Sequence, residues 1–89
     1  MTDLPVPRTE IALRLKKIEG QIRGIQKMVL NERQCTDIMI QLAAAKAGLE
    51  SVAGKVLKNY TNICLNEESP EEVGAALARA VSIWVGGRA

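Results

Sequence analysis

The sequence predicts an all-α chain: a three-helix protomer built as an antiparallel helical hairpin followed by a short third helix. Three observations carry that expectation. Aromatic residues make up only 2% of the 89, with no Phe, while Ala, Leu, Ile, Lys and Glu abound, a balance that disfavours a β-sandwich. Apolar residues recur in alternating steps of four and three from Ile11 onward, the period of packed helices. Ser69-Pro70-Glu71-Glu72 spells a helix start, with a capping hydroxyl, a proline at the first helical position and acids in the first turn. The chain is short enough to read as one domain, 1–89, with 1–6 as a flexible lead.

Helix one is expected near residues 7–31. Pro5 and Pro7 stand where a helix can begin, and Ile11, Leu15, Ile18, Ile22, Ile25 and Val29 follow the four-three rule without a miss. Asn31 to Gln34 is a polar break, and so short a connection turns the next helix back antiparallel. Helix two is expected near 35–66, on Ile38, Leu42, Ala45, Leu49, Val52, Val56, Tyr60 and Ile63. At 1.5 Å per residue it would be about 46 Å long, more than a chain this size can cover, so a second copy is expected along it. Helix three is expected at 70–85, with Val73, Leu77, Ala80 and Trp84 as its buried stripe and Gly86-Gly87 as its end.

Charge is unevenly spread. Residues 8–33 hold seven basic and three acidic side chains, whereas 67–89 hold two basic and four acidic. Around a helix, Lys16, Arg23 and Lys27 share one flank of helix one, and Arg14, Lys17 and Gln21 share the other. Either flank serves as a solvated face or as a phosphate-binding surface multiplied by symmetry. Gly20 and Gly24, with the small residues Ala43, Ala44, Ala47 and Gly48, point to close backbone approach by another helix or by DNA.

Histidine is absent and cysteine occurs twice. This removes the usual general base, the Ser-His-Asp and Cys-His sites, every imidazole zinc site, and any four-thiolate site within one chain. An enzyme is therefore not expected. The first ten residues, with Asp3, Pro5, Pro7 and Arg8, do not resemble a signal peptide, and no run is apolar enough to span a membrane; a cytoplasmic protein is expected. Cys35 and Cys64 lie 29 residues apart, about 43 Å on a continuous helix, far beyond the roughly 7 Å a disulfide spans. They fall on the same edge of the helix-two seam, so antiparallel pairing of two copies would bring Cys35 of one toward Cys64 of the other. Cys35 also opens a helix beside Arg33, an arrangement that favours thiolate. The alternative role of each is that of a small buried hydrophobe.

Two runs, Arg14-Leu15-Lys16-Lys17-Ile18-Glu19-Gly20-Gln21-Ile22-Arg23-Gly24-Ile25 and Cys35-Thr36-Asp37-Ile38 followed by Gln41-Leu42-Ala43-Ala44, resemble the signature of the CsoR/RcnR family of bacterial metal- and stress-sensing repressors. The resemblance covers roughly residues 8–85. It implies an antiparallel dimer forming a four-helix bundle, a disc-shaped homotetramer, operator-DNA binding without a helix-turn-helix, and release when an inducer occupies an intersubunit site. Copper(I) members carry a Cys and then a His and a Cys four residues apart; the matching positions here are Cys35, Tyr60 and Cys64, so the imidazole is missing. Those members also tend to have Tyr before the first Cys, where this chain has Gln34, and a Glu in helix three, where no acid follows Val73. Nickel and cobalt members need several imidazoles, and formaldehyde sensors use an N-terminal Pro where Thr2 stands here.

The remaining likeness is to the persulfide-sensing, CstR-like branch. It implies a repressor without cofactor, released when a persulfide or polysulfide inducer cross-links Cys35 and Cys64 between protomers, with Tyr60 and Gln34 nearby. The alternative is a Cu(I)-responsive repressor that holds the metal on the same two thiolates. The expected phosphate contacts are Arg14, Lys16, Lys17, Arg23 and Lys46, with Gln21 assisting.

Overall fold

A computed structural model describes residues 7–59 and 69–86 of the chain. The segment 1–6 expected as a flexible lead lies outside these, as do Tyr60 and Cys64. The described residues form three helices and no strand: α1 (Arg8–Leu30), α2 (Cys35–Lys58) and α3 (Pro70–Trp84).

Helix α1 starts directly after Pro7, whose carbonyl accepts the N–H groups of Glu10 and Ile11. It ends at Asn31, whose N–H reaches the Lys27 carbonyl at 2.9 Å. Glu32 then takes a positive φ of 56°, reversing the chain at the polar break between the helices. The hairpin is antiparallel. Ile11 and Ile18 pack with Val52 and Val56, and Ile22 and Ile25 lie across a cleft from Leu42. The core is narrow: Ile11, Ile18 and Ile25 recur every seven residues on α1, and Ala45 and Val52 answer on α2.

Helix α2 is shorter than its hydrophobic rhythm suggests. It closes at Lys58, and Asn59 leaves helical geometry at φ −113° and ψ 36°. The N–H and the side-chain Nδ2 of Asn59 both donate to the Lys55 carbonyl, at 3.1 and 2.9 Å, which seals the last turn. The 24-residue helix is about 36 Å long and ends at Lys58, short of the expected residue 66; the cysteine separation depends on Cys64, which lies outside the described residues.

Helix α3 begins as its sequence dictates. Ser69 Oγ accepts the Glu72 N–H at 3.3 Å, and the Ser69 N–H donates to Glu72 Oε1 at 2.8 Å, a complete capping box. These two bonds, the backbone one foremost, hold the Glu72 carboxyl below its ordinary 4.5. Gly86, at φ 90°, follows the last turn. Ala76 is the buried residue of α3, and Val73, Leu77 and Ala80 are half-buried. Trp84, expected in the buried stripe, is instead 46% exposed, although it lies beside Ala53, Val56 and Leu57 of α2.

Candidate functional site

Cys35 is the first residue of α2, and within the single protomer its thiol is free and exposed. Gln34 is the N-cap, extended at φ −63° and ψ 142°, and its side chain caps nothing. The first N–H groups of α2 are therefore left without a side-chain acceptor next to the thiol, where the positive end of the helix dipole lies. Arg33, on the other side, is drawn to Asp37, with Nη2 3.7 Å from Oδ2 across one turn. The juxtaposition of Cys35 with Cys64 and Tyr60 lies outside the described residues.

The six residues expected to contact phosphate fall in separate places. Arg14, Lys17 and Gln21 come together, as their shared flank requires, in a cleft of about 210 Å³ between α1 and α2. Its other wall is Ala44, Gly48, Ser51 and Val52. Lys16 lies in a different, shallow depression with Ala12, Leu15 and Glu19. Arg23 reaches Glu19 at 3.9 Å on the exposed face of α1. Lys46 sits on α2 with Leu49, Glu50 and the end of α3. Arg14 is paired with Glu10 at 3.0 Å, an exposed i,i+4 contact.

Sequence reasoning missed Ser51 and the part played by Gly48. A Cβ at Gly48 would lie 3.2 Å from both Cδ1 and Cγ1 of Ile18, so the two helices meet closely here. Ser51 follows Gly48 by three and Ala44 by seven residues, a spacing that puts all three on one face. That register was the available signal. By contrast, nothing lies within 4 Å of a Cβ built on Gly20 or Gly24, so the close approach expected there is not made within the protomer.

Among the described residues no group of three His, Cys, Asp or Glu is placed to hold a metal, and no helix is long and apolar enough to cross a membrane.

Comparison with known proteins agrees with this architecture. Residues 8–84 match the family model of the metal-sensitive transcriptional repressor. The copper-sensing transcriptional repressor CsoR of Bacillus subtilis is 45% identical over 58 residues, which are 65% of this chain and 57% of that relative's length. The copper-sensing repressor RicR of Mycobacterium tuberculosis is 34% identical over 80 residues, 79% of this chain and 83% of the relative. Among solved structures, the nickel-responsive transcriptional regulator InrS superposes with a TM-score of 0.76 at 31% identity, covering 92% of this chain and 97% of its own. The copper-sensing repressor CsoR with Cu(I) from Geobacillus thermodenitrificans gives 0.66 at 37% identity, covering 92% and 90%. These relatives are transcriptional regulators, not enzymes. The chain belongs to the family of metal-sensitive transcriptional repressors.

Proposed function

We propose that the chain binds operator DNA as a homodimer or homotetramer in the cytoplasm and is released by an inducer acting on the thiols of Cys35 and Cys64. The observation that carries this reading is Cys35 itself: an exposed free thiol at a helix N-terminus, in a chain with one other thiol and no histidine. Self-association is supported by the apolar line Leu15, Ile22, Val29, Leu42 and Leu49, which the hairpin leaves exposed. DNA binding is supported by the basic flank of α1.

Of the two inducers considered, Cu(I) takes first place over persulfide, because the curated relatives are named as copper-sensing. The donor set fits that ion in one form only. Two thiolates satisfy the linear preference of soft Cu(I), whereas Tyr60 supplies no third nitrogen. Nickel, to which InrS responds, finds no imidazole here. Bound Cu(I) would supply a soft centre that replaces the thiol protons and ties Cys35 to Cys64 across protomers.

The missing histidine favours a second reading, a persulfide or polysulfide inducer as in the CstR-like branch. There the Cys35 thiolate attacks the outer sulfur of an organic persulfide, forming Cys35-persulfide and expelling the organic thiolate. The Cys64 thiolate of a neighbouring chain then attacks the inner sulfur, closing a disulfide and releasing hydrosulfide.

The test is titration of the protein–DNA complex with Cu(I) and with an organic persulfide in separate arms. Dissociation by Cu(I) alone is the expected result. Dissociation by persulfide alone, with a covalent dimer by intact mass, moves the assignment to sulfur. A complex that survives both overturns the thiol-directed reading.

A further inference from the structure

Several depressions of the described surface hold basic side chains, and they differ in what surrounds the cations. The depression at Lys16 includes Glu19, and the one at Lys46 includes Glu50. The cleft of Arg14 and Lys17 is lined by no carboxylate at all; its other polar groups are the Gln21 amide and the Ser51 hydroxyl. Lys17 makes no ion pair among the described residues, and Arg14 is engaged only by Glu10, one turn away. The opposite wall, Ala44 and Gly48, is small enough to leave the cleft deep. At about 210 Å³ it holds several water volumes of about 30 Å³, enough for a tetrahedral phosphate group.

We infer that this cleft is a seat for one phosphate oxyanion of the DNA backbone, and that Ser51, on α2, helps hold it. The inference rests on the DNA-binding reading above. Lys17 and Arg14 supply the charge, while the Gln21 amide and the Ser51 hydroxyl donate to the phosphate oxygens from opposite walls. Because the seat is shared by two helices, its width follows their separation, which the close contact of Gly48 with Ile18 limits. Any rearrangement that shifts α1 against α2 therefore alters the grip on DNA without changing the number of charges in the seat.

The experiment measures DNA affinity of the full chain against salt for Ser51→Ala, Lys17→Ala and the double variant. Ser51→Ala should weaken binding roughly tenfold, as loss of a hydrogen bond to a charged group does. Lys17→Ala should lower the salt slope by about one. The double variant should lose less than the product of the two single effects, because both hold one phosphate. Gly48→Ala, which removes no charge, should weaken binding while keeping the wild-type salt slope.

Wild-type affinity for Ser51→Ala, or fully independent effects in the double variant, overturns the seat while leaving DNA binding intact. If the wild-type chain shows no salt-dependent DNA binding, the DNA reading falls instead. Titration with inorganic phosphate, followed by the amide resonances of Gln21 and Ser51, then separates the sources. Shifts at both keep the cleft as an oxyanion seat for a free anion, and their absence overturns it.

Discussion

The apolar seam of the hairpin divides into two interleaved sets of residues. Ile11, Ile18, Ile25, Ala45 and Val52 retain only 2–8% of their surface, whereas Leu15, Ile22, Val29, Leu42 and Leu49 retain 39–56%. Both sets are aliphatic and both repeat every seven residues; what separates them is which side of each helix the partner helix covers. One set builds the protomer. The other is written in the same hydrophobic code but is covered less among the described residues: Ile22, Val29 and Leu42 line one open cleft and Leu49 lies near Trp84, so each keeps apolar surface of the kind a second copy would cover.

Substitutions on the two sets should therefore fail in different ways. Ile18→Ala removes a buried side chain packed against Gly48 and should cost about 3 kcal/mol, measured by urea unfolding. Ile22→Asp, on the exposed set, should leave helicity nearly unchanged and convert the assembly to protomers in sedimentation velocity. An unchanged sedimentation coefficient would break the comparison. A smaller effect is expected at the cap of α3: Ser69→Ala should cost about 1 kcal/mol, seen as lost helicity at wild-type α1–α2 packing.

The glycines sharpen the same contrast. Gly20→Ala meets open space and should stabilise the protomer by up to about 1 kcal/mol, while Gly48→Ala must displace Ile18 and should not. If Gly20→Ala instead weakens self-association, the helix face at Gly20 is covered in the assembly. The smallest effect concerns pH. Glu72 is held below 4.5 in the folded chain, so its contribution to the α3 cap is complete above that value and fades as pH falls through the lower folded-state value. Helicity of α3 in Glu72→Gln should lack this acid-side loss.

Much of this was legible in the residues. The capping box, the proline start of α1 and the polar turn are local signals, and local hydrogen bonding realised each of them. The end of α2 was not, because the seam continues through Tyr60 and Ile63 while Asn59 terminates the helix by bonding back to Lys55. Periodicity reports which face is apolar, not where the backbone stops. The exposure of Trp84 was equally hidden, since a stripe on a helix does not say how closely a neighbouring helix covers each residue on it. At the site, the helical wheel grouped Arg14, Lys17 and Gln21 correctly, but Ser51 comes from the opposite helix and only the packing of Gly48 on Ile18 brings it there.

The central claim is that an exposed thiol at the start of α2 governs the grip of a transcriptional repressor on DNA. It is tested most directly by fluorescence anisotropy of labelled operator DNA with the wild-type chain and with Cys35→Ala, before and after inducer. The account predicts equal affinity without inducer, and release of the wild type but not of Cys35→Ala when Cu(I) or persulfide is added. Release of both proteins at the same inducer concentration would contradict it.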